Sequence, residues 1–150
     1  MLFSSQAAAI GKLDVKDFGK EWKRRVRHHG VAREGTQVMQ GWQMAKNTYF
    51  TRMSALGHGR FDSTYGWQPT PSMPKLCLLI FLDGEADDMD EFELELLGEV
   101  WAFVTIVLVG WEGCPYHNAY AGELERMCRS NPHLSFVDFQ GRVLERWATQ

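Results

Sequence analysis

The sequence predicts an α/β fold in which a mostly parallel sheet is flanked by helices. A continuous apolar run at 76–82 and the mainly apolar segments 103–109 and 134–139 read as strands. Segments of helical spacing separate them, and the resulting order β-α-β-α-β-α builds a parallel sheet through right-handed crossovers. The composition supplies a core, with 45% hydrophobic residues, 6 Trp and 9 Phe in 150 residues, and that length suits a single domain over 1–150.

From the start of the chain, the apolar stretch 2–10 reads as a strand, or as two short strands around a turn. Asp14 stands where it can cap a helix over 15–29, with Phe18, Trp22 and Val26 at near-helical spacing and Gly30 as the stop. Lys20, Lys23, Arg24, Arg25, Arg27, His28 and His29 make that helix strongly basic. Its plain reading is a solvated face with cations near the negative end of the helix dipole; its sharper reading is a surface for an anionic partner.

Past Glu34-Gly35-Thr36, the residues Val38, Trp42, Ala45, Tyr49 and Met53 recur at helical steps, which predicts a helix. Gly57, Gly59, Gly66, Pro69, Pro71 and Pro74 then make 57–74 read as a long loop. The run Leu76–Leu82 is closed by Asp83-Gly84 and reads as a strand buried on both faces. A helix follows over 89–100, with Asp87, Asp88, Asp90 and Glu91 at its positive end. The segment 103–109 is a second buried strand, 118–129 a helix with Tyr120, Leu124 and Met127 inward, and 134–139 a third strand. A terminal helix begins at 143–147, and Ile80, Ile106 and Phe136 are expected to be nearly fully buried. Ligands of such sheets sit at the C-terminal strand ends, which here carry Asp83, Trp111-Glu112 and Asp138-Phe139.

A net charge of −3 gives none of the basic surplus of a nucleic-acid binder. The 3 Cys cannot all pair within the chain, and the first ten residues lack a basic n-region and a long apolar core. A reducing compartment, the cytoplasm, is therefore expected. The longest apolar run, 100–109, broken by Thr105, is too short to cross a bilayer, which takes about 20 residues.

Three stretches resemble a von Willebrand factor type A (vWA) domain. Phe3-Ser4-Ser5 and the small residues after it are similar to the family's second strand. Gly35-Thr36-Gln37-Val38 with Ala45 is similar to its Gly-Thr-x-Ile/Leu…Ala segment. Leu79-Ile80-Phe81-Leu82-Asp83-Gly84-Glu85 is close to its Thr-Asp-Gly-Glu strand end, with Leu82 in place of Thr. The segments 104–110, Gly122-Glu123-Leu124-Glu125 and Phe136-Val137-Asp138-Phe139 follow in the family's order, so the resemblance covers nearly the whole chain.

The resemblance implies a three-layer, Rossmann-like sandwich and non-enzymatic protein–protein interaction. In the family an acidic side chain of the partner completes a magnesium ion at the metal-ion-dependent adhesion site (MIDAS). Thr36 matches the family's metal-binding Thr and Asp83 its Asp, but nothing matches its Asp-x-Ser-x-Ser. The implied site is incomplete and the implied fold lacks the first strand and helix. Magnesium favours six oxygen ligands, so one hydroxyl and one carboxylate hold it weakly. Without the family, Thr36 reads as a helix N-cap and Asp83 as a turn residue. Glu85, Trp111 and Glu112, at or beside the strand ends, are the candidate partner contacts. A missing strand also leaves an edge that another segment can fill.

Other chemistries compete. Cys114 lies between a strand and a helix, where thioredoxin-like proteins carry Cys-x-x-Cys, with His117 in the place of the second Cys. That gives a redox alternative, against which Cys114 reads as a small loop residue. The acids from Glu85 to Glu91 lack the spacing of a calcium loop, and the His residues lack zinc-ligand spacing. Phosphate-cradling and nucleophile-elbow glycine motifs are absent.

Overall fold

The computed structural model describes residues 2–3, 7–8, 36–82, 86–110 and 115–140. The expected helices over 15–29 and 143–147 lie outside them, as do Asp83, Glu85, Trp111, Glu112 and Cys114. The chain divides into two compact units, Met1–Met73 with Asp87–Phe92, and Pro74–Ala86 with Glu93–Gln150.

In the first unit, β1 (Leu2–Phe3) pairs antiparallel with β2 (Ala7–Ala8), the two-strand form of the expected start. The helix α1 spans Val38–Ala55. Val38, Trp42, Ala45, Tyr49 and Met53 are its buried stripe, as their spacing requires. Its end is a Schellman motif: Gly57 takes a positive φ of 74°, while the His58 amide donates to the Met53 carbonyl at 2.9 Å and Gly57 to Ser54 at 3.0 Å.

The stretch read as a long loop instead holds a hairpin, β3 (Gly59–Asp62) antiparallel to β4 (Gly66–Pro69). The Asp62 carboxylate accepts the Thr64 and Tyr65 amides at 2.8 and 3.0 Å, and Gly66 supplies the left-handed residue at φ 71°. Turn-forming residues here build a tight connection rather than an extended one. Trp67 stacks on Phe50 of α1 at 4.6 Å between ring centroids, and its indole N–H points at the Met73 sulfur.

The second unit contains the predicted sheet. β5 (Leu76–Leu82), β6 (Ala102–Gly110) and β7 (Leu134–Gln140) are adjacent and parallel, in that order. The connections are α2 (Met89–Leu97), which stops three residues short of the expected 100, and α3 (His117–Ser130). Both crossovers advance in one direction along the sheet. Right-handedness, the rule for such connections, predicts that both helices lie on the same face.

Burial differs between alternate residues of the strands. Ile80, Leu82, Val104, Ile106 and Leu108 are buried, whereas the alternate residues Leu79, Phe81, Phe103 and Val137 are 62%, 63%, 44% and 43% exposed. The expectation that β5 is buried on both faces is therefore wrong. Seven apolar residues in a row say that a strand is hydrophobic, not that each face is covered. Ile80 and Ile106 are buried as expected, but Phe136, on the outer strand β7, is only half-buried. On α3, Leu124 and Met127 are buried and Tyr120 is half-buried.

Candidate functional site

Parallel pairing determines where the strand ends lie. Leu82 stands opposite Leu108, and Leu108 opposite Asp138, so the C-terminal ends of all three strands reach one edge of the sheet. The chain leaves β5 immediately before Asp83, and leaves β6 immediately before Trp111. Four of the five site residues read from the sequence, Asp83, Glu85, Trp111 and Glu112, fall in the segments that follow these ends, outside the described residues.

The described part of this edge contains a pair that the sequence reading missed. His117 is the first residue of α3 and only 8% exposed. Its Nε2 lies 2.7 Å from the Asp138 Oδ1 near the end of β7. The ring nitrogen donates to the carboxylate, satisfying a polar group whose unpaired burial would cost free energy. Strand-helix-strand geometry brings the start of a connecting helix towards the end of the strand that follows. A His at the start of such a helix and an Asp at that strand end were the available signal. The residues are 21 apart, which hides them from any short motif.

Tyr116, 64% exposed, precedes the pair, and its ring centroid lies 6.4 Å from that of Tyr120 one turn along. The Tyr116 carbonyl accepts the amides of Ala119 and Tyr120 at 3.1 and 3.2 Å. This edge can therefore present aromatic surface and carboxylate together.

Thr36, the fifth site residue, belongs to the first unit. It does not cap α1: Gln37 holds the N-cap position and makes no side-chain capping bond. The cap comes from Asp88, whose Oδ1 and Oδ2 accept the Val38 and Met39 amides at 2.7 and 2.9 Å. The Asp87 amide donates to the Thr36 carbonyl at 2.8 Å. Asp88 was expected to favour the start of its own helix, α2; it also closes the positive end of α1, where a carboxylate is favoured by charge and by open N–H groups.

Among the described residues no group of three or more His, Cys, Asp or Glu is placed to hold a metal. No described helix is long and apolar enough to cross a membrane. Of the thiols, Cys77 is exposed on β5, while burial, with the Glu125 charge adding to it, pushes the Cys128 thiol pKa up. No family model, curated protein or solved structure matches the chain.

Proposed function

We infer that the chain is a non-enzymatic protein-interaction module of the vWA kind, which meets its partner at the C-terminal edge of the β5–β6–β7 sheet. The observation that carries this reading is the parallel register, which brings three strand ends to one edge. Glu85, Trp111 and Glu112 are the proposed contacts in the segments that follow. Thr36 and Asp83 are the proposed magnesium ligands. As a hydroxyl and one carboxylate they bind the ion weakly, so recognition does not depend on it.

The test is quantitative affinity capture, comparing the native chain with a Glu85→Lys/Glu112→Lys variant, each with magnesium and with EDTA. A protein captured by the native chain in both conditions and lost by the variant is the expected result. Identical captured sets from the two chains would overturn the reading.

A second kind of contact is favoured by β5 itself. Among the described residues it pairs only with β6, and Leu76–Leu82 carries neither charge nor proline. Such an edge is open to a further strand, and a segment supplying one is the proposed occupant.

A further inference from the structure

The bond between His117 and Asp138 joins two elements that the chain does not otherwise join at this edge. His117 opens α3, and Asp138 lies near the end of β7, beyond the whole length of the helix and the turn after it. Within the first turn of α3, the Ala119 and Tyr120 amides donate to the Tyr116 carbonyl. Its N-cap residue, Tyr116, makes no side-chain capping bond, and no acid stands in the first turn. A helix start without a cap frays, because its first amides have no intrahelical acceptor.

We propose that the His117–Asp138 bond is a latch that positions the start of α3, and with it the Tyr116–Tyr120 ring pair, at the C-terminal edge of the sheet. Here Asp138 replaces the missing cap by holding a side chain instead of an amide. The location of the bond supports a positioning role. His117 is buried while its neighbour Tyr116 is exposed, so one residue anchors the turn and the next is presented to solvent. An exposed Tyr116 beside the half-buried Tyr120 on a fixed backbone suits protein contact, since large rings are ordered there at little entropic cost. The inference rests on the strand-edge reading for the identity of the surface, but the latch itself can be tested without a partner.

The measurement is amide hydrogen exchange at Ala119 and Tyr120, whose N–H groups report whether the first turn is closed. His117→Ala and Asp138→Ala should each speed exchange there by at least about tenfold, with β5 amides unchanged. The double variant should be no faster than the faster single one, because both substitutions remove the same bond. His117→Gln, which can keep an amide donor near the Nε2 position, should restore slow exchange. Unchanged exchange in either single variant, additive effects in the double, or equal loosening of β5 would overturn the latch. Affinity capture then separates the two claims. A loosened turn with capture unchanged overturns the positioning role, whereas capture unchanged in Glu85→Lys/Glu112→Lys counts against the strand-edge reading alone.

Discussion

Asp88 shows how far one side chain's role can depart from its local sequence. It lies in an acidic run that reads as the first turn of α2, yet both its oxygens accept amides at the start of α1, 50 residues away for Val38. Replacing a helix-capping side chain by Ala costs about 0.5–2 kcal/mol. Asp88→Ala is therefore expected to lower unfolding free energy by about 1 kcal/mol in urea titration. Asp90→Ala, at an exposed position of α2, should stay within about 0.5 kcal/mol. The sheet offers a sharper contrast. Ile106 is fully buried and Leu79 is 62% exposed, though both lie in predominantly apolar strands. Ile106→Ala should cost about 2–5 kcal/mol, whereas Leu79→Ala should cost less than about 0.5 kcal/mol. Equal losses would show that the outer face of β5 is covered in solution.

At the scale of elements, the β3–β4 hairpin depends on a close approach. A Cβ on Gly59 would lie 2.6 Å from the Trp67 ring and 2.8 Å from the Gln68 carbonyl oxygen. The second of these is backbone and cannot swing aside. Gly59→Ala should destabilise the chain by about 1–3 kcal/mol, the usual cost of overpacking, and should shift Trp67 fluorescence as its stack on Phe50 is disturbed. An unchanged denaturation midpoint would show that the hairpin can slide to make room. This element was hidden in the sequence because Gly59, Gly66 and Pro69 are residues of loops as much as of hairpins. What distinguishes the two is which position each occupies, and that depends on the pairing partner. The helix α1 was legible because a stripe from Val38 to Met53 carries its period in the sequence itself. The strands of the sheet were legible as elements and as neighbours, but not in their burial, since an apolar run does not reveal which face a crossover will cover. The His117–Asp138 pair was illegible for a related reason: it exists only once strand-helix-strand geometry has brought its members together. Of the site residues proposed from sequence, Thr36 alone falls among those described, and there it contributes a backbone carbonyl to Asp87 rather than a cap.

For the whole molecule, a parallel sheet brings its strand ends to one edge, and the proposed function adds to it a weak metal site and a protein partner. Magnesium at low millimolar concentration should leave the melting temperature unchanged. A ligand bound only to the folded state would stabilise it by RT ln(1 + [L]/Kd), about 2.7 kcal/mol at a hundredfold excess over Kd. A clear rise that disappears in Asp83→Ala would mean that Thr36 and Asp83 recruit further ligands and that the site is stronger than its two matched residues imply. The central claim is the location of the partner surface. Its most direct test is hydrogen-exchange footprinting of the chain with and without the partner recovered by affinity capture. The account predicts slowed exchange confined to the strand ends, in peptides covering 83–86, 111–120 and 138–140. Protection of the β3–β4 hairpin or of the N-terminal ends of β5 and β6, with the strand ends unchanged, would contradict it.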